Sequence, residues 1–219
     1  MERMRIDRLR LCPDPYRPSR VRWKDPDAGT LYRRVSGGLA WPHDVRPGAV
    51  VVLAEQQEVL PGQDVHAVEV LAEFQNPDIG LLLAKAMEWR DRLGCRGWLT
   101  PLDAPELQLV NDYNEERRRF RLPLLECTAP PSVNGKSEFA AYHRLLERRT
   151  RGRKSLFFGE GSQVAREYKV RQKADTAKRL ELFPVLAAFL WALADIELND
   201  ASGRWTSRQG GSADKLGGY

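Results

Sequence analysis

Residues 31–55 read LYRRVSGGLAWPHDVRPGAVVVLAE. Leu31–Leu39 reads as a strand-like segment, and a Trp41-Pro42 turn ends it. Ala49–Glu55 follows as a second strand, apolar on both faces and therefore expected at the centre of a sheet. A Pro61-Gly62 turn then leads to a third strand, Val65–Phe74. Strict alternation places Val68, Val70, Ala72 and Phe74 on one face of it, and Glu69, Leu71 and Glu73 on the other.

The first helix comes only after these three strands. Asn76–Leu93 has Asn76 as N-cap, Pro77 at the first helical position, Asp78 in the first turn and Gly94 as its stop. Its apolar stripe is Ile79, Leu82, Leu83, Ala86 and Leu93. Val50, Val52, Val70 and Ile79 should therefore be buried together. Gly97–Leu102 is expected as the fourth strand, Ala104–Phe120 as a helix and Leu122–Cys127 as the fifth strand. Ser137–Arg149, Ser162–Gln172 and Lys178–Asn199 are expected helices, with Ser155–Phe158 a short edge strand or hairpin. Three meandering strands followed by alternating strand and helix predict an α/β, ribonuclease-H-like mixed sheet with flanking helices over residues 31–199. Residues 1–30 read as a basic, proline-rich, irregular N-terminal arm that Trp23 and Tyr16 could pin. Residues 200–219 read as a flexible tail.

The 219 residues suffice for one sizeable core. A net charge of +5 and a pI near 9.2 lean towards an acidic partner, although ordinary solubility accounts for so small an excess equally well. Cys12, Cys95 and Cys127 are too scattered for a disulfide frame or a zinc site, which suggests a reducing compartment. No signal peptide is legible, and the longest apolar run, Leu182–Ala194, is too short to span a bilayer. A cytoplasmic location is expected. His43, His66 and His143 have no paired spacing, and no nucleophile signature is present.

Several local patterns resemble the nuclease domain of phage terminase large subunits: SGGLAWP with PGAVVVLAE, then GWLTPLDAPELQLVNDYN, then FAAYHRLLERR with SLFFGEGSQVAREY, and finally FPVLAAFLWALADIEL. The resemblance spans about residues 31–198 and includes the Glu167-Tyr168 pair. It implies metal-dependent DNA cleavage with Mg²⁺ or Mn²⁺, a role in viral DNA packaging, and DNA, a packaging ATPase or a portal as partners. No GxxxxGK[ST] motif occurs, so an ATPase half is not expected in this sequence.

The same resemblance puts Ala40 and Ala187 where metal-binding aspartates should stand. Asp103, ending the fourth strand, is the one acid at an expected position. One carboxylate cannot hold two Mg²⁺ ions, so catalytic degeneracy is expected. The alternative is a non-catalytic module that binds DNA or protein. Asp44 in the first turn and Glu55 at the end of the second strand are the candidate substitutes. Asp195 lies eight residues beyond Ala187, about 12 Å along a helix and too far to replace it. Asp103 also opens a D-x-x-E capping box with Glu106, and capping is the plainer role for it. For nucleic acid, the candidates are Arg148, Arg149, Arg151, Arg153 and Lys154, with Arg117, Arg118, Arg119 and Arg121 assisting. Both groups end helices, where cations also complement the dipole.

Overall fold

A computed structural model describes residues 5–17, 21–43, 46–62, 65–93, 97–129, 144–147, 149–150, 155–173 and 183–200. Eight strands form one mixed sheet. They are β1 (Arg10–Pro13), β2 (Val21–Lys24), β3 (Leu31–Ala40), β4 (Gly48–Gln56), β5 (Val68–Asn76), β6 (Trp98–Leu99), β7 (Cys127–Thr128) and β8 (Leu156–Phe157). The helices are α1 (Ile79–Leu93), α2 (Ala104–Arg119), α3 (Gln163–Lys173) and α4 (Pro184–Asp200).

The meander is as the sequence predicts. β3, β4 and β5 pair antiparallel in succession, and β4 lies between the other two with Ala49–Ala54 fully buried. β6 adds to the other side of β3 in parallel, and β7 adds to β6 in parallel. The spatial order β5-β4-β3-β6-β7, with only β4 running against the rest, is the ribonuclease-H-like arrangement.

Two apolar layers cover the sheet. α1 packs Leu82, Leu83, Ala86 and Trp89 on one face, over Leu39, Val50, Val52 and Ala54. α4 is apolar all round and fully buried over most of its length, and it covers the other face with Ala40, Ala49, Val51, Leu53 and Val70. Val70 therefore lies across the sheet from Val50 and Val52, not beside them. The cause is a bulge: Val52 pairs with Ala72 but Leu53 pairs with Val70, leaving Leu71 as the extra residue. Leu71 and Ala72 consequently both face α1, and the parity of β5 is inverted beyond them.

The first helix also begins later than expected. Asn76 makes a turn, its Oδ1 accepting from the Asp78 amide at 2.8 Å. Asp78 is the cap, its carboxylate accepting from the Leu81 amide at 3.1 Å.

Part of the N-terminal segment carries strands. β1 and β2 form an antiparallel pair, and β2 pairs with β3 at Tyr32 and Leu31. β6 pairs with β3 only at Gly37 and Gly38, so the hairpin occupies the length of β3 that β6 leaves open. Ile6 and Leu9, ahead of the hairpin, are buried in the α1 layer, and the Trp23 indole donates to the Leu93 carbonyl at 2.8 Å. No helix among the described residues is long and apolar enough to cross a membrane.

Candidate functional site at the carboxyl edge of the sheet

The ends of β3, β5 and β6 and the starts of β4 and α4 meet at one edge of the sheet. Loops at the carboxyl ends of parallel strands are where α/β sheets gather their chemistry. The end of β3 is tied to the end of β6 by the Trp41 indole, which donates to the Pro101 carbonyl at 3.0 Å.

Ala40 and Ala187 both come to this corner, and both are buried, at 3% and 2% exposure. They belong to one apolar cluster with Ala49 and Leu99. The packing between β3 and α4 is as close as backbone allows. A Cβ built on Gly38 would stand 1.9 Å from the Ala188 carbonyl oxygen, so only glycine fits there. On the opposite face a Cβ at Gly37 would strike the Trp98 ring at 2.5 Å.

Asp103 stands at the same edge, exposed, as the residue before α2. Its backbone is extended and its carbonyl accepts from the Leu107 amide, but its carboxylate caps nothing. The side-chain half of the expected capping box is therefore not made. Asp44 lies outside the described residues. Glu55 is at the far end of β4, buried and paired with Arg33 at 2.8 Å. Six residues of strand, about 20 Å, separate it from Ala49, so it does not reach the corner. Asp195 is likewise committed elsewhere. It accepts from the Ser36 hydroxyl at 2.8 Å and pairs with Arg34 at 3.0 Å, buried between α4 and β3.

The acids that do approach the corner on the α4 side are Glu73 and Glu167. The bulge in β5 turns Glu73 towards the helices, where its carboxylate accepts from the Ser162 hydroxyl and from the Gln163 and Val164 amides. It is thus the N-cap acceptor of α3, supplied from a strand. Glu167 does the same for α4: its Oε2 accepts from the Leu186 amide at 2.8 Å, and its Oε1 from the Gln75 side chain at 3.4 Å. Burial pushes the Glu167 carboxyl up to about 7, against the opposing pull of the helix amides, and the neighbouring Glu73 charge adds to the rise.

Neither acid is legible as a site residue in the sequence. The parity of an unbulged strand hides Glu73, and helix-capping by a carboxylate from another element has no local sequence signal. Among the described residues no group of three or more histidine, cysteine, aspartate or glutamate side chains could hold a metal ion. A two-metal centre needs several converging carboxylates. Here Ala40 and Ala187 are methyl groups in a buried apolar cluster, Glu73 and Glu167 are engaged at helix ends, and Asp103 is the one other described acid placed at this edge. The described residues do not fit such a centre.

The basic candidates divide. Arg149 is buried at 6% exposure, pairing with Glu197 of α4 and donating to the His66 carbonyl, so it is not an exposed phosphate contact. Arg148, Arg151, Arg153 and Lys154 lie outside the described residues. Arg117 donates to the Pro123 carbonyl at 2.6 Å and stacks over Tyr113, while Arg118, Arg119 and Arg121 are exposed. The helical residues 144–147 and 149–150 precede β8 and α2 precedes β7, both strands parallel to β3. Both helix ends therefore reach the same edge of the sheet, opposite the corner. They reach it at different ends of the strand order, five strand spacings or about 24 Å apart. Of the cysteines, Cys12 and Cys127 are free. Burial pushes the Cys127 thiol up to about 12, which leaves it inert as a nucleophile.

No family model and no curated protein matches the chain. A solved structure does: the nuclease domain of the large terminase of bacteriophage SPP1, crystallised with bound Mn. It is 11% identical with a TM-score of 0.47, over 74% of this chain and 85% of that one.

Proposed function

We propose that this chain is a terminase-type, ribonuclease-H-like module of a viral DNA-packaging apparatus that engages DNA without cutting it. One observation carries the loss of cutting: Ala40 and Ala187 are both buried in one apolar cluster, with the α4 backbone pressed against Gly38. An ion with its water shell needs room and charge at that place. Support for the packaging lineage comes from the local sequence patterns between residues 31 and 198, together with the strand order. In this reading Arg148, Arg151, Arg153 and Lys154 contact phosphates, and a packaging ATPase or portal is the protein partner.

Incubating the purified chain with supercoiled plasmid and Mg²⁺ or Mn²⁺ tests the proposal. The expected result is plasmid that remains supercoiled, with duplex binding that weakens as salt rises. Metal-dependent nicking that disappears in Asp103→Asn would overturn it and would point to Asp44 as the completing ligand.

A further inference from the structure

The last turn of α2 and the turn that follows it, residues 117–122, form a surface of a different kind from the corner. α2 starts at the carboxyl edge and runs for 16 residues, about 24 Å, so its end lies at the opposite edge. Phe120 is 68% exposed and Leu122 46% exposed, beside the exposed Arg118, Arg119 and Arg121. Several arginines elsewhere in the fold meet acids: Arg22 with Asp14, Arg33 with Glu55, Arg34 with Asp195, Arg149 with Glu197. Among the described residues no ion pair or side-chain hydrogen bond engages Arg118, Arg119 or Arg121, although Glu115 and Glu116 lie one turn earlier.

Two backbone hydrogen bonds close the turn itself. The Leu122 amide donates to the Arg117 carbonyl and the Arg121 amide to the Arg118 carbonyl, both at 3.0 Å, which is the double bond of a Schellman motif. That motif demands a left-handed residue at its fifth position, and glycine is the residue that takes it without strain. Arg121 occupies it at φ 54°. Complementing the helix dipole does not require an arginine at this one position, because Arg117, Arg118 and Arg119 already stand in the last turn. The chain therefore holds a guanidinium in a conformation that a glycine would adopt more easily, next to an aromatic ring left in water.

We infer that residues 118–122 are a single-stranded nucleic-acid site, with Phe120 stacking on a base and Arg118, Arg119 and Arg121 contacting the flanking phosphates. An exposed ring among unpaired arginines suits a single strand because its bases present their faces, whereas a duplex keeps them stacked inside. The arginines carry charge complementarity to phosphate, and a ring stacks on any base, so sequence preference is weak. This goes beyond the proposal of duplex engagement and is independent of whether the corner cuts.

Anisotropy of a labelled oligothymidylate of about 16 nucleotides with the full chain, in chelator, tests it beside a duplex of equal length. The single strand binds more tightly, with a log–log salt slope of roughly −2 for three phosphate contacts. Phe120→Ala weakens single-strand binding about tenfold and leaves the duplex affinity unchanged. Arg121→Gly raises the melting temperature while weakening single-strand binding and flattening the slope. The inference is overturned by single-strand affinity unchanged in Phe120→Ala or Arg121→Gly, by a duplex that binds as tightly as the single strand, or by no binding at low salt. Plasmid nicking would overturn only the corner reading, so the two failures are separable.

Discussion

Glu167 still holds much of its proton near neutrality, when an ordinary carboxylate has long released it. Its folded-state value of about 7 lies above the ordinary 4.5 because its surroundings on α3 and at the head of α4 are poor in water. Between those two values the folded chain binds more protons than the unfolded chain. Stability from this group is therefore complete below pH 4.5 and is lost as pH rises through 7. The full swing is on the order of 3 kcal/mol. Thermal melts should show a lower melting temperature at pH 8 than at pH 5, and Glu167→Gln should flatten that difference. An unchanged pH profile in the glutamine variant would mean that Glu167 titrates as an ordinary acid. The Glu167-Tyr168 pair is legible in the sequence as part of a family pattern. Its partners are not, because Leu186 and Gln75 lie 19 and 92 positions away and no periodicity connects them. Arg149 makes the same point from the other side. A basic run looks solvated in sequence, yet one of its members turns inward to hold Glu197 and the His66 carbonyl.

At the scale of elements, strand order was legible and strand parity was not. β4 reads as central because it is apolar on both faces, and that pattern admits few other solutions. β5 reads as strictly alternating, and the bulge at Leu71 breaks the alternation halfway along. The inversion has a consequence that alternation would forbid: Glu73 faces α3 and caps it. Three donors converge on that carboxylate, from Ser162, Gln163 and Val164. Glu73→Ala should destabilise the chain by about 1–3 kcal/mol, since it strips acceptors from buried donors. Glu73→Gln should cost less and should also lower the pKa of Glu167, because a neighbouring charge that raises it is gone. Chemical denaturation of both variants, with the pH series repeated on the second, checks this. Equal melting of Glu73→Ala and the parent would show that α3 is capped by Ser162 alone, whose hydroxyl lies 3.4 Å from the Ala165 amide.

On the scale of the whole molecule, the boundary between arm and domain is the issue that composition leaves open. Arginine and proline density made residues 1–30 look like a linker, because both residue types are common in unpaired chain. What composition does not show is that β6 covers only two residues of β3, leaving an open edge that a hairpin from anywhere in the chain could fill. The nearest such segment in sequence fills it. The Arg22 guanidinium closes the seam, donating to the Arg33 carbonyl at 2.9 Å while paired with Asp14. Ile6 and Leu9 are 1% and 4% exposed, so removing this segment uncovers core as well as edge. Loss of two buried aliphatic side chains costs about 2–5 kcal/mol each, against a total stability of about 5–15 kcal/mol for an ordinary domain. An exposed strand edge also templates aggregation. A chain beginning at Leu31 should therefore be largely insoluble or melt far below the full chain, whereas one ending at Asp200 is the control for truncation itself. A soluble fragment from Leu31 with an unchanged melting temperature would show that β3 to α4 form the complete folding unit and that the hairpin only decorates it.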